Sequence, residues 1–234
     1  MEYQRSESKR AFKDQLYEQL ARIGKALASP HRLELLDLLA QSERSVEELA
    51  RETTLPVATV SQHLQILHAA RLVDVRRRGR HRRYRLASGE VARLWLALRR
   101  TGEAHLAELE QLVTTWLPER RHWPALSIDA ALELLNTGRA LLLDVRPRDE
   151  YASAHLPQAR SLPVAELATH LSELPRDCEI IAYCRGPYCV FADEAVALLR
   201  AHGFRAWRLE VGVPEWQERG LPLIEERSDF SWQV

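Results

Sequence analysis

Between an apolar run of strand length, Glu179-Ile180-Ile181-Ala182-Tyr183, and a stretch with helical spacing from Val190 to Ala201 lies one short loop, Cys184-Arg185-Gly186-Pro187-Tyr188-Cys189. A short continuous apolar segment bounded by turn residues reads as a strand buried on both faces. Handed directly to a helix, it reads as part of an α/β unit with a parallel sheet. Cys184 falls where the strand ends, the place where such sheets hold their ligands. The first turn of the following helix offers unpaired amides and partial positive charge. A thiol held there is expected to lose its proton more easily than a free cysteine and to act as a nucleophile. Cys189 lies at the far end of the same loop.

The neighbouring segments fit the same class. Ser127 caps a predicted helix that runs to about Asn136 and ends at Thr137-Gly138. Ala140-Leu141-Leu142-Leu143-Asp144-Val145 is an apolar strand ending in acid, and a helix near 163–172 and a strand at 206–209 complete the alternation. Helix and strand in alternation predict a parallel sheet covered on both faces.

The other half is patterned differently. Phe12, Leu16, Leu20, Ile23 and Leu27 form one helical stripe over 8–28. Ser29-Pro30 is expected to start a second helix over 30–40, with Ser29 at the N-cap and Pro30 at the first helical position. Ser45 and Glu48 have the spacing of a capping box before a short helix, 46–52. A fourth helix follows Pro56 and runs to about Ala70, with Val57, Val60, Leu64, Ile66 and Leu67 expected to face inward. Its polar members include Thr59, Ser61, Gln62, His63 and Gln65, side chains of the kinds that read base edges and phosphates in a major groove. Short helix, tight turn and polar-faced helix make a helix-turn-helix. A β-hairpin is expected next, and its tip holds seven arginines in ten residues, among them Arg76, Arg77, Arg78, Arg80, Arg82 and Arg83. Such a run cannot be buried without an anionic partner. Contacts from it to phosphates would supply salt-dependent affinity while the helix supplies discrimination. A last long apolar helix over 90–117, together with 8–28, predicts a homodimer interface suited to a two-fold DNA operator.

Two halves imply two domains: 1–118 for DNA binding and dimerisation, a proline-flanked linker at 119–124, and 125–234 for the α/β domain. Charge divides the same way. Residues 1–118 carry 20 Lys+Arg against 15 Asp+Glu, and 119–234 carry 13 against 18. A basic half beside an acidic one points to nucleic acid as the partner of the first. Three cysteines make no disulfide framework, so a reducing cytoplasm is the expected location. No apolar run approaches the roughly 20 residues of a membrane span, and no signal-peptide pattern opens the chain.

The segments Leu27-Ala28-Ser29-Pro30-His31-Arg32-Leu33-Glu34-Leu35-Leu36 and Thr59-Val60-Ser61-Gln62-His63-Leu64-Gln65-Ile66-Leu67 resemble the ArsR/SmtB family of winged-helix repressors over about residues 10–117. The resemblance implies a homodimeric repressor released from DNA by an inducer. Residues 45–53 hold no cysteine and the last helix offers only His105, so no metal site is expected in this half. Leu142-Leu143-Asp144-Val145-Arg146, Glu150-Tyr151, His155-Leu156-Pro157, Tyr183-Cys184-Arg185-Gly186 and Gly212-Val213-Pro214-Glu215-Trp216 look like a rhodanese domain over about 125–224. That likeness implies that Cys184 accepts sulfur as a persulfide within a cradle of loop amides including Arg185 and Gly186, with Asp144 and Arg146 shaping the wall. For Asp144, Glu150 and His155, structural and chemical roles both stand open.

Cys189 occupies the position where rhodanese loops commonly carry a basic or hydroxyl residue, and Pro187 removes one amide from the cradle. Ala154 and Gln158 stand where that family usually shows glycine. The loop gains a resolving thiol in exchange, since Cys189 can attack a persulfide on Cys184, giving a disulfide or a sulfur-bridged pair. Cys178 has no partner in sequence reach and reads as a bystander. The expected function is a repressor that senses persulfide or polysulfide from a sulfane-sulfur donor, with no cofactor. A sulfurtransferase with an autoregulatory DNA-binding domain, with weak thiosulfate turnover, and a repressor responding to arsenite through the same cysteine pair are the alternatives.

Overall fold

The computed structural model describes residues 2–78, 81–121, 123 and 125–226. Packing divides it into two compact units, with the division between Trp95 and Leu96.

The first unit contains α1 (Glu2–Leu27), α2 (Pro30–Gln41), β1 (Arg44–Ser45), α3 (Val46–Thr53), α4 (Val57–Ala69), β2 (Val73–Arg78), β3 (His81–Leu86) and the start of α5 (Gly89–His105). The strands form an antiparallel sheet in the order β1-β3-β2. Its core is leucine-rich, with Leu35, Leu36, Leu49, Leu64 and Leu67 wholly buried. The capping box forms as expected: Glu48 N donates to Ser45 Oγ at 3.2 Å, and Ser45 N donates to Glu48 Oε2 at 2.7 Å. Ser29 holds the N-cap position of α2 but makes no side-chain cap bond, leaving Pro30 as the starting signal. On α4, Val60, Leu64 and Leu67 are buried, whereas Val57 and Ile66 are exposed, contrary to expectation. Ile66 lies two residues, or about 200°, around the helix from Leu64, and Val57 opens the first turn beyond the core.

The second unit contains the rest of α5, α6 (Ala107–Trp116), a 3₁₀ turn (Pro118–Arg121), α7 (Ile128–Asn136), β4 (Ala140–Asp144), α8 (Arg148–Ser153), β5 (Arg160–Ser161), α9 (Val164–Leu167), β6 (Glu179–Tyr183), α10 (Phe191–Ala201), β7 (Ala206–Arg208) and α11 (Val213–Glu218). The strands pair in the order β5-β4-β6-β7, all parallel. Strand alternation assigns the two faces: Leu143, Val145, Ile180, Ala182 and Cys184 pack with α9 and α10, while Leu142, Ile181 and Tyr183 pack with α7 and α11. Ser127 caps α7 by accepting from Ala130 N at 3.2 Å.

The helix expected over 90–117 is two helices, α5 and α6, parted at Leu106, whose ψ of 96° leaves the helical region. Apolar spacing alone does not distinguish a continuous helix from a broken one. The helix expected at 163–172 is short, giving way after Leu167 to a 3₁₀ turn at Leu171–Glu173. Among the described residues no helix is long and apolar enough to cross a membrane.

Candidate functional site

In the first unit, α4 and the hairpin enclose a groove of about 500 Å³ lined by Ser61, Gln65, His68, Val75, Arg77, Arg82 and Tyr84. Two periodicities build it. Residues 61, 65 and 68 share one face of α4, and Arg77 stands opposite Arg82 on the hairpin face that carries Val75 and Tyr84 nearer the core. His68 is an addition to the expected DNA-facing set, and its spacing from Ser61 and Gln65 signals it. Gln62, Arg76, Arg77 and Arg82 are exposed, and Thr59 and Ser61 are half-buried. Arg80 and the side chain of Arg78 lie outside the described residues.

Two of the residues expected to meet DNA are otherwise engaged. Arg83 pairs with Glu43 at 3.2 Å and Glu48 at 3.2 Å and donates to the Glu43 carbonyl at 2.6 Å. It falls on the opposite face of the strand from Arg82 and ties the hairpin to the capping box of α3. His63 is half-buried, with its ring 5.6 Å from that of His31. Burial, then Arg32 and His31, hold its pKa below the ordinary imidazole value, so its neutral form is favoured.

In the second unit, the loop from Cys184 to Val190 joins β6 to α10. Cys184 is 3 % exposed and belongs to the core face of the sheet, while Cys189 is half-buried. Both are free thiols, and Cys184 Sγ donates to the Cys189 carbonyl at 3.6 Å and to the Gly186 carbonyl at 3.9 Å. Burial, and then the neighbouring Cys189 thiol, pushes the Cys184 thiol well above the ordinary range. The neighbouring Cys184 thiol holds Cys189 below that range, against its own burial. The easily ionised sulfur is therefore Cys189, not Cys184: depth beneath the loop outweighs the helix terminus for Cys184. Backbone groups favour ionisation of both thiols, those of Ala192 and Gly186 for Cys184 and those of Arg185 and Phe191 for Cys189. Gly186 has φ of 137°, a conformation that L side chains rarely adopt. Gly212 is required for another reason: a Cβ there would come within 2.6 Å of the Arg185 carbonyl and 2.8 Å of the Cys184 oxygen.

Beneath the loop runs a chain of alternating charges. Tyr183 Oη donates to Asp144 Oδ2 at 2.6 Å, and Arg146 donates to the same oxygen at 2.6 Å and to the Ala154 carbonyl at 2.7 Å. Arg146 also lies 3.9 Å from Glu150, to which Arg185 donates at 2.6 and 2.9 Å. Asp144, Arg146 and Glu150 are all fully buried. They frame the loop from below and turn Arg185 toward Glu150. His155 stacks on Tyr151 with 3.7 Å between ring centroids. Of the two positions where rhodanese domains usually carry glycine, Gln158 has φ of 64° while Ala154 is extended. The first therefore needs a left-handed residue and the second does not.

Four long-range pairings carry no local pattern that would mark them in the sequence. Arg120 of the 3₁₀ turn donates to Asp193 at 3.0 and 2.6 Å, to the Cys189 carbonyl at 3.1 Å and to the Pro187 carbonyl. Arg208, at the end of β7, lies 3.4 Å from the same Asp193. Burial, followed by repulsion from Arg120, lowers its pKa, while Asp193 and Cys184 pull the other way. Arg99 donates to Glu215 at 2.5 Å, and Tyr188 of the loop donates to Glu103 at 2.9 Å.

A family model described as the bacterial regulatory protein, arsR family, matches residues 29–75, and one for the rhodanese-like domain matches residues 127–219. The HTH-type transcriptional regulator Rv0324 of Mycobacterium tuberculosis is 43% identical over 212 residues, spanning 90% of this chain and 92% of that one. A sulfurtransferase of Allochromatium vinosum is 33% identical over 92 residues, 39% of this chain and 84% of its own. The biofilm growth-associated repressor of Agrobacterium fabrum is 46% identical over 74 residues, 32% of this chain and 63% of its own.

Proposed function

The chain belongs to the ArsR family of DNA-binding regulators and carries a rhodanese-like domain, and from that premise we propose that it is a cytoplasmic repressor released from its operator when a sulfane-sulfur donor modifies Cys184 and Cys189. The observation that carries this reading is the pair of free thiols at the two ends of one short loop, with Cys184 Sγ donating to the Cys189 carbonyl at 3.6 Å.

The reaction starts when Cys189, the more readily ionised of the pair, loses its proton. Cys189 takes the Cys184 proton as the Cys184 sulfur attacks an outer sulfur of a hydropolysulfide. One S–S bond forms and one breaks, so Cys184 becomes a persulfide and the shortened chain leaves as an anion. Cys189 then attacks the Cys184 sulfur. The bridge between them forms, and the displaced sulfur departs with the Cys189 proton as hydrogen sulfide. Two thiols lose two electrons, and the sulfane sulfur gains them. Arg208 and the surrounding backbone groups supply positive potential around the charge throughout.

DNA is met by the groove of Ser61, Gln65, Arg77 and Arg82, with Thr59, Gln62 and Arg76 beside it. The repressor acts as a homodimer through α1, α5 and α6; exposed Phe12, Leu16 and Leu20 on α1, and Leu106, Leu112 and Trp116 around α6, support this reading. A coupling of about 1–3 kcal/mol between bridge and DNA binding changes affinity 5–150-fold. Gel-shift titration of wild type and Cys184→Ser with and without polysulfide tests the proposal: release of wild type alone supports it, and equal release of both overturns it.

The likeness to a sulfurtransferase favours a second reading, turnover of sulfur to an acceptor. Multiple-turnover thiosulfate:cyanide kinetics would establish it, whereas a sensor reacts once per loop.

A further inference from the structure

Cys184 and Cys189 are held by different means. Cys184 follows directly on β6, is buried in the core of the sheet, and its carbonyl lies against Gly212 so closely that no Cβ fits between. Cys189 is at the outer end of the loop, and its carbonyl is held by Arg120. Both thiols are free and Cys184 Sγ is bonded to the Cys189 carbonyl at 3.6 Å, whereas a disulfide brings its two sulfurs to roughly 2.05 Å. When a bridge forms, one sulfur must move, and the packing around Cys184 leaves Cys189 to do so.

We propose that Arg120 is a latch that reads the state of the cysteine pair: it holds the loop and its own 3₁₀ turn together while the thiols are reduced, and bridging draws Cys189 away from it. The inference rests on the pair closing to a bridge, as in the function proposed above. Arg120 is suited to this because one planar fork spans two loop carbonyls, Pro187 and Cys189, and the carboxylate of Asp193 in the first turn of α10. Its side chain is 11 % exposed, so water does not freely replace a carbonyl that moves away from it. Arg120 N in turn bonds the Leu117 carbonyl at 3.1 Å, immediately after α6. Withdrawal of the Cys189 carbonyl thus loosens the turn Pro118–Arg121 and the end of α6, the segment proposed to take part in dimerisation.

The test is hydrogen exchange of full-length protein, reduced and after oxidation with diamide, which takes up the two electrons of the thiol pair without supplying sulfur. Bridge yield is read by mass after alkylation, in a Cys178→Ser background. Bridged wild type is expected to exchange amides 117–121 several-fold faster than the reduced protein. Arg120→Met should exchange them fast in both states while forming the bridge in the same yield, and Arg120→Lys should fall between. Unchanged exchange in fully bridged wild type, or a wild-type response in Arg120→Met, overturns the latch. The wild-type comparison decides even if Arg120→Met fails to fold. If diamide loosens the turn but polysulfide forms no bridge, the latch stands and the polysulfide reading falls.

Discussion

The Cys184 thiol donates to the backbone carbonyl of Cys189 at 3.6 Å, and Cys189 is the more exposed of the two cysteines. Ease of ionisation and access therefore coincide on Cys189, while burial favours the protonated form of Cys184. The thiolate is the form that reacts with alkylating agents, so a depressed pKa moves the onset of Cys189 reactivity to lower pH. Cys184→Ala removes the neighbour that lowers the Cys189 pKa, and the onset should move up in pH. The pH dependence of Cys189 alkylation by iodoacetamide, followed on its peptide by mass spectrometry, checks this. An unmoved profile would contradict the assignment.

Arg77 and Arg82 face the groove beside α4, whereas Arg83 is spent on Glu43 and Glu48. Replacing Arg77 or Arg82 by alanine should weaken DNA binding similarly across sequences and lower the salt slope by about 0.9 for each phosphate left without its arginine. Arg83→Ala should leave that slope unchanged and lower thermal stability instead. Fluorescence-anisotropy titrations over a range of salt, with melting curves on the same proteins, separate the two outcomes.

Backbone geometry sets opposite expectations at two positions. Gly212→Ala drives a methyl to 2.6 Å from the Arg185 carbonyl and should destabilise by about 1–3 kcal/mol. Gln158→Gly relieves a left-handed conformation at φ of 64° and should stabilise by about 0.5–1 kcal/mol after the entropy of the added glycine is counted. Urea unfolding measures both.

Much of this arrangement is legible in local pattern. The apolar run before Cys184, the Ser45–Glu48 spacing and the polar face of α4 each depend on residues within a turn or two of one another, and each formed where its spacing put it. What was not legible depends on partners far along the chain. Arg120 lies in a charged, proline-flanked stretch that reads as a linker, yet its carboxylate partner is 73 residues away. Arg83 cannot be told from Arg82 within a run of arginines until strand alternation and the position of Glu43 are known. The reversal of acidity between Cys184 and Cys189 has the same origin, because burial is a tertiary property that a helix-terminus argument does not contain.

Asp144 and Arg146 have their visible roles in the frame under the loop. Asp144→Asn leaves a fully buried guanidinium with its nearest opposing carboxylate, Glu150, 3.9 Å away. A cost of about 3–5 kcal/mol is expected for breaking such a pair, large enough to unfold the rhodanese-like domain near ambient temperature. A melting curve unchanged from wild type would show that the pair does not carry the frame.

The central claim is that oxidised sulfur is captured between Cys184 and Cys189. Intact mass and peptide mapping of the polysulfide-treated full-length protein test it most directly. The account predicts one cross-linked peptide joining the two residues, at the mass of the reduced pair less two hydrogens, and its absence in Cys184→Ser. A persulfide that persists on Cys184 beside an unmodified Cys189, or no modification of either, would contradict it.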